Sequence, residues 1–140
     1  MYLLDTNACI GILNNTSASL VACLRAHAPS EIRLCAVTKA ELLFGARHSG
    51  RPSDNLRLLA RFFEPFVSLS FDDACAERYG SVRADLATEG RMIGPNDLLI
   101  ASVALAHDLT LVTHNLREFS RVSGLKIEDW QEDRVRRQGR

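Results

Sequence analysis

The chain has 140 residues, and its 17 basic Lys and Arg side chains equal its 17 acidic Asp and Glu side chains in number. This length predicts one domain around a single core, and a net charge of zero disfavours a protein that holds nucleic acid by bulk electrostatics alone. No stretch is long and apolar enough to cross a bilayer and no signal-peptide pattern precedes Asp5, so we expect a cytoplasmic protein. The cysteines lack CxxC spacing and paired histidines, which predicts buried free thiols rather than a zinc site or a disulfide framework: Cys9, Cys23, Cys35 and Cys75.

The first half of the chain alternates buried strands with amphipathic helices. Residues 1–5 predict a strand, and Thr6 or Asn7 would cap a helix that runs to Leu13. The further predicted elements here are a helix over 17–28, a strand over 32–37, a helix to Ser49 that opens with the capping-box pattern Thr38-Lys-Ala-Glu41, and a helix over 56–63.

The second half continues the alternation, which predicts an α/β domain with a parallel sheet. Its predicted elements are a strand over 66–69, a long helix from Ser70 or Asp72 that closes at Gly90, an apolar helix entered at Gly94-Pro-Asn-Asp97, a strand over 109–112, a short helix capped by Asn115, and a strand over 125–127. Residues 134–140 are predicted to form a frayed, flexible basic tail.

Polar side chains interrupt the apolar segments at Asp5, Glu41, Asp97, and Asn115 with Glu118. Each has a structural explanation, because Asp and Asn cap helices, a capping box places Glu in the first turn, and carboxylates stabilise helix N-termini. Together they predict an acidic pocket, because the carboxyl ends of parallel strands open on one crevice. Converging carboxylates repel unless protons or a cation neutralise them, and oxygen ligands alone favour Mg²⁺ or Mn²⁺ over Zn²⁺.

Four sequence motifs carry a resemblance that extends over nearly the whole chain. They are Leu3-Leu-Asp5-Thr-Asn7, Thr38-Lys-Ala-Glu41-Leu-Leu-Phe-Gly45, Gly94-Pro-Asn-Asp97-Leu-Leu-Ile-Ala101, and Val112-Thr-His-Asn115-Leu-Arg-Glu118-Phe-Ser-Arg-Val122 followed by Glu128-Asp-Trp130. In this order and spacing they resemble the motifs of PIN-domain ribonucleases, and within them the VapC toxins of bacterial toxin–antitoxin pairs. The last motif is similar to the ending of the VapC branch that cleaves initiator tRNA.

The resemblance implies a three-layer α/β/α PIN fold over residues 1–133, with a mainly parallel central sheet. It makes Asp5 and Asp97 direct metal ligands, while Glu41 holds the metal or its water. Many PIN domains have Asp where Asn115 stands here, so Glu118 is the side chain that would replace the missing charge. Four further residues would support these ligands or contact substrate: Thr6, Asn7, Asn96 and Thr113.

The implied function is that of a toxin that hydrolyses RNA phosphodiesters with Mg²⁺ or Mn²⁺, most specifically in the anticodon stem-loop of initiator tRNA, and so inhibits translation. The implied partners are RNA, a VapB-like antitoxin and a second copy of the chain. Exposed apolar surface on the helices over 17–28 and 56–66 is the predicted dock for the antitoxin and the predicted dimer face.

Two alternatives remain open from the sequence. A haloacid-dehalogenase-type phosphatase also begins with a strand that ends in Asp, but its chemistry needs a second Asp where Asn7 stands and a downstream Lys to neutralise phosphate. The other alternative is a PIN-like module that binds partners without catalysis. The three intact acids at Asp5, Glu41 and Asp97 argue against it.

Overall fold

The centre of the fold is a five-stranded sheet in which every pair of neighbouring strands is parallel. The computed structural model describes residues 1–131; the predicted tail lies outside them, and the domain boundary at residue 133 stays a prediction. The strands are β1 (Tyr2–Leu4), β2 (Ile32–Cys35), β3 (Val67–Leu69), β4 (Thr110–Val112) and β5 (Ile127–Glu128).

Seven α-helices connect and cover these strands within residues 1–131. They are α1 (Thr6–Leu13), α2 (Ala18–Arg25), α3 (Ala36–Arg47), α4 (Pro52–Phe63), α5 (Asp73–Glu89), α6 (Pro95–Ala106) and α7 (Leu116–Phe119), with one 3₁₀ turn at Pro29–Glu31. No single helix in this range is long and apolar enough to cross a membrane. The pair α1 and α2 meets the length and composition test jointly, but the two helices are bent by 99° at their junction.

The strand order places a ligand crevice next to β1. The order of the strands across the sheet is β3-β2-β1-β4-β5. Strands β2 and β3 are added on one side of β1, and strands β4 and β5 are then added on the other side. Ligands of open α/β sheets bind beyond the carboxyl ends of the strands where the order reverses in this way. In the register, Leu4 is paired with Val112. Asp5 and Thr113, which follow these two residues, therefore leave the sheet side by side.

Side chains alternate between the two faces of the sheet and build two apolar layers. Leu3 and Leu111 lie in the cluster that includes buried residues of α5, α6 and α7, whereas Leu4 and Val112 lie in the cluster with α1, α2, α3 and α4. The predicted three-layer α/β/α architecture with its parallel sheet is confirmed. Helix α6 is the most deeply covered helix because nearly all of its side chains are apolar.

The predicted exposed apolar surface on α2 is wrong, whereas the place where a partner docks stays a prediction. Leu20 is buried, and Cys23 and Leu24 pack against the core, because this helix uses its apolar side chains to cover the sheet. On α4 the large apolar side chain that remains exposed is Leu58. Further exposed apolar side chains lie instead on α1 and α3: Ile10, Leu13, Leu43 and Phe44.

The caps of two helices differ from the expected ones. The chain offered Thr6 or Asn7 as the cap of α1, and Asp5 as a cap or a ligand; the structure uses Asp5, whose Oδ1 atom accepts the backbone N–H of Ala8 at 2.7 Å. The predicted start of α3 at Thr38 is wrong, because α3 begins at Ala36, so Thr38 lies inside the helix and the capping box does not form. The Glu41 carboxylate accepts a hydrogen bond from the Thr6 hydroxyl instead. The last strand begins at Ile127, two residues later than predicted.

Candidate active site

Asp5 lies at the bottom of the crevice. It follows β1 directly, and only 2% of its surface is exposed. Besides capping α1, it accepts a hydrogen bond from the Thr113 hydroxyl, which in turn accepts the backbone N–H of Asn115 at 2.9 Å. Burial raises the pKa of Asp5, the two hydrogen bonds oppose that rise, and the charge of Glu41 adds to it. Asp5 is therefore a rigidly held carboxylate with a neighbouring negative charge.

Glu41 enters the crevice from α3. The Thr6 hydroxyl donates to Glu41 Oε1 at 2.7 Å, and it lies 3.4 Å from the hydroxyl of Thr38, which is buried beneath it. The Glu41 carboxylate is thus oriented across the crevice from the residue that follows Asp5 in the chain. The hydrogen bond from Thr6 to Glu41 joins α1 to α3. The capping-box pattern had instead predicted that the Glu41 carboxylate would bond to the backbone of its own helix, α3.

Asp97 enters the crevice from the first turn of α6 and pairs with Glu118 of α7. Burial, the hydrogen bond with Glu118 and the charges of Glu118, Asp5 and Glu41 raise the pKa of Asp97 to about 7. Two carboxyl groups form such a hydrogen bond when one of them carries a proton. The four predicted acids therefore lie within electrostatic reach of one another.

Asn115 holds the other end of the Glu118 carboxylate. It occupies the predicted N-cap position of α7, but its side chain does not cap the helix. Instead its Nδ2 atom donates to Glu118 Oε2 at 3.0 Å. Glu118 therefore stands between the amide of Asn115 and the carboxyl group of Asp97.

Asn7 and Asn96 are both exposed, but they differ in their surroundings, and it is Asn96 that shares a cavity with Glu41. Asn96 borders a cavity of about 350 Å³ together with Ala40, Glu41 and Phe44, so it lies at the mouth of the crevice. Among the contacts of residues 1–131, none joins Asn7 to the acids.

The donor set fits a hard divalent cation. All four acidic side chains offer oxygen, and within residues 1–131 no ion pair with Lys or Arg reaches any of them. Burial is the main cause of the raised pKa values of Asp5 and Asp97, and the negative charges of neighbouring carboxylates add to it. Asp5, Asp97 and Glu41 would hold the ion, and Glu118 would add negative charge beside Asp97, because hard cations take carboxylate oxygens and bring the positive charge that the crevice lacks.

The sequence reasoning did not identify Asp129 as part of this environment. Asp129 is 8% exposed, and its charge contributes to the raised pKa of Asp5. Its Oδ2 atom pairs with His114 Nδ1 at 2.9 Å, and its Oδ1 atom accepts the backbone N–H of Gln131 at 2.9 Å. The signal was present in the sequence, since Glu128-Asp129-Trp130 follows the last motif, but only the placement of β5 beside β4 brings Asp129 behind Asp5.

Comparison with known families agrees with this architecture. The model of the PIN domain matches residues 2–125, which include every acid of the crevice. The chain belongs to the PIN-domain family. Nucleases with PIN domains generally depend on divalent metal ions, and the crevice of this PIN domain has the oxygen donors for one.

The relatives of this PIN domain are VapC proteins. It is 40% identical over 129 residues to the tRNA(fMet)-specific endonuclease VapC of Shigella flexneri, an alignment that covers 92% of this chain and 97% of the relative. It is 37% identical to the ribonuclease VapC2 of Rickettsia felis, with 93% and 98% covered. Among solved structures, a chain of the DNA-bound VapBC complex from Salmonella typhimurium superposes with a TM-score of 0.87 at 36% identity, covering 92% of this chain and 97% of that one.

Proposed function

We propose that this PIN domain is the toxin of a toxin–antitoxin pair and a divalent-metal-dependent endoribonuclease that cleaves tRNA. The observation that carries the proposal is the gathering of Asp5, Glu41, Asp97 and Glu118 in one crevice without a basic partner among residues 1–131. The endonuclease and ribonuclease names of relatives that align over nearly the full chain support the reaction class.

The site residues have distinct roles in this proposal. Asp5 and Asp97 are the direct ligands of the cation, and Glu41 holds the cation or its water. Thr6 and Thr113 keep Glu41 and Asp5 in place through their hydroxyl groups. When bound, the cation, Mg²⁺ or Mn²⁺, polarises the scissile phosphate and lowers the pKa of the attacking water.

Asp97 and Glu118 add a proton store to the site. With a pKa of about 7 for Asp97, the pair holds a proton near neutral pH in the metal-free protein and releases it when positive charge arrives. Asn115 positions Glu118 for this exchange through its 3.0 Å hydrogen bond. The amide at Asn115 therefore supports a nearby carboxylate rather than supplying the negative charge that an Asp would bring.

The mouth of the crevice suits an unpaired nucleotide. Phe44 is 69% exposed, borders the cavity that includes Glu41 and Asn96, and stacks on His48 with ring centroids 5.5 Å apart. Unstacked bases of RNA loops bind on exposed aromatic rings of this kind. This arrangement favours a looped RNA, and the tRNA(fMet)-specific names of two relatives make the anticodon stem-loop of initiator tRNA the first substrate to test.

The decisive experiment incubates the purified protein with total bacterial tRNA in Mg²⁺ and in EDTA, and maps new 5′ ends by sequencing. We expect metal-dependent cuts in one tRNA loop. Asp5→Asn should reduce cleavage by about 100-fold or more. The variant should still fold, because Asn also caps helices and keeps the start of α1. Asp85→Asn is the matched control, because Asp85 is exposed on α5 away from the crevice.

Two outcomes would contradict the proposal. Cleavage that persists in EDTA or in Asp5→Asn would show that the crevice is not the catalytic site. If the protein without antitoxin cleaves no RNA, although it can still bind the antitoxin in a separate assay, the alternative of a PIN-like module that only binds partners would be favoured. The phosphatase alternative is disfavoured because Asn7 is exposed and no Lys pairs with the acids among residues 1–131.

The partner of this toxin would be a VapB-like antitoxin, bound in the groove between α1, α3 and α4. This groove has a volume of about 390 Å³, and the exposed side chains of Ile10 and Leu58 lie on opposite sides of it. Glu41 lines the same groove, so a segment bound there reaches the acids directly. Structural neighbours of this chain are VapBC complexes, which supports the partner class. A homodimer and a cytoplasmic location, where tRNA is found, complete the proposal.

A further inference from the structure

Outside the crevice, three side chains of different chemistry converge where the N-terminus of α5 meets the C-terminus of α6. Asp72 is the N-cap of α5, Cys75 lies in its first turn, and His107 follows the last residue of α6. One ligand atom from each, a carboxylate oxygen, the Sγ atom and an imidazole nitrogen, lies within 4.8 Å of the other two. The sequence had indicated unpaired cysteines, because His107 is far from Cys75 along the chain.

The hydrogen bonds of the three residues leave their ligand atoms available. Asp72 uses Oδ1 to accept the backbone N–H of Cys75 at 3.1 Å, which leaves Oδ2 for another contact. Within residues 1–131, the ring nitrogens of His107 take part in no hydrogen bond or ion pair. Cys75 Sγ lies 3.8 Å from the carbonyl oxygen of Ser70, and its thiol also makes a hydrogen bond with the carboxylate of Asp72, inside the cluster. The cap of α5 therefore brings Asp72 and Cys75 together, and the packing of α6 against α5 adds His107.

The spacing and burial suit a tetrahedral ion. Ligands about 2.0 to 2.3 Å from Zn²⁺ lie about 3.3 to 3.8 Å from one another, so the separations in this cluster, which are within 4.8 Å, have to shorten by at most about 1 to 1.5 Å. The cap of α5 already holds the Asp72 carboxylate beside the buried Cys75, and the exposed side chain of His107 has room to rotate toward them. A thiolate and a carboxylate also balance the two positive charges of the ion, and the third ligand is a neutral imidazole.

We propose that Asp72, Cys75 and His107 bind one Zn²⁺ ion, with a fourth position open to water, and that the ion fastens α5 to α6. The donor set separates this site from the crevice, since Zn²⁺ accepts sulfur and nitrogen, whereas Mg²⁺ requires oxygen. By the helical rise of about 1.5 Å per residue, His107 lies about 15 Å along α6 from Asp97. At this distance the ion takes no part in the chemistry of the crevice, and it stabilises the fold because it binds only the folded chain.

The test uses Co²⁺ as a spectroscopic probe in the reduced full-length protein. The expected result is one Co²⁺ per chain with a thiolate-to-cobalt charge-transfer band, which Zn²⁺ displaces. Cys75→Ser should abolish the band, and Cys23→Ser should retain it, because Cys23 lies on α2 away from the cluster. Zn²⁺ should also raise the Tm of the parent protein, with no such effect on Cys75→Ser.

His107→Ala and Asp72→Asn keep the test valid if the buried Cys75→Ser variant does not fold, since both positions are exposed and Asn preserves the helix cap. Each should weaken Co²⁺ binding by more than about tenfold, because even partners that only support a ligand contribute that much. His107→Ala should cleave RNA in Mg²⁺ as the parent does. Absence of the band in the parent, its persistence in Cys75→Ser, or unchanged affinity in His107→Ala would overturn the proposal, independently of ribonuclease activity.

Discussion

Replacing Asp97 by Asn should stabilise the metal-free protein at neutral and alkaline pH while it abolishes cleavage. The pKa of Asp97 rises from 3.8 to about 7 through burial and the hydrogen bond and charge of Glu118. The unfolded chain loses this proton near pH 4, so between pH 4 and 7 the folded state binds more protons. The free energy of unfolding therefore falls as the pH rises through this range. Asn does not ionise, so the Asp97→Asn variant should not lose this free energy of unfolding as the pH rises.

The size of the effect follows from the same numbers. A rise of about three pH units corresponds to about 4 kcal/mol at about 1.4 kcal/mol each. Asp97 is only partly buried, so solvent screening at least halves the value, to about 2 kcal/mol. Any attraction of the charged carboxylate for the N-terminus of α6 is already contained in the folded-state pKa, so it is not subtracted again. The expected gain is about 2 kcal/mol at pH 8, and it should vanish near pH 4.

Urea denaturation in EDTA, followed by circular dichroism at several pH values, measures this gain. Asp85→Asn serves as the control for removing one acidic charge, and an unchanged m value shows that both proteins unfold from equally compact states. A variant Asp97→Asn that is less stable than the parent at pH 8 would refute the reasoning. So would a gain that does not grow between pH 4 and 7.

Four further contacts yield predictions. Thr6→Val removes the 2.7 Å hydrogen bond to Glu41, so the cleavage rate should fall about 10-fold or more, and a higher Mg²⁺ concentration should be needed for the half-maximal rate. A Mg²⁺ titration measures both effects, with Thr6→Ser, which keeps the hydroxyl, as the control. Glu118→Gln removes the charge that raises the pKa of Asp97, so that pKa should move down in NMR titrations in EDTA; an unmoved value would contradict the pairing. Phe44→Ala should raise KM for a tRNA stem-loop with little change in kcat, and an equal loss on a minimal dinucleotide would contradict stacking. Leu58→Asp should weaken antitoxin binding in calorimetry by about tenfold and leave cleavage unchanged.

Elements with strong local signals could be predicted from the sequence. The apolar run of α6, the cap of α5 at Asp72, which was one of the two starts that the sequence offered, and its end at the left-handed Gly90 follow from periodicity and capping preferences within one segment. Asp5 could be predicted as a site residue because it ends the first strand. Its second role, as the cap of α1, was assigned to its neighbours, because Asp, Thr and Asn in succession are all good caps.

The sequence predicted the residues of the acid crevice but not the contacts between them. The motifs named Asp5, Glu41, Asp97, Asn115 and Glu118, and the structure places all of them around the carboxyl ends of β1 and β4. The hydrogen-bond partners of these residues could not be predicted from the sequence, because most of the interactions join different helices and strands. A capping box and a ligand position have the same local pattern, and only the position of α1 against α3 decides that the Thr6 hydroxyl meets Glu41.

The sequence by itself determined the alternation of strands and helices, the acids that end them and the family to which the chain belongs, because these depend on residue types and spacings within short segments. The tertiary structure decided which carboxyl groups share a proton and placed Asp129 behind Asp5. It also brought His107 to Cys75. Periodicity reports which face of an element is buried, whereas the order of strands in the sheet fixes which distant side chains come within a few ångströms, and the pKa values and metal affinities depend on those distances.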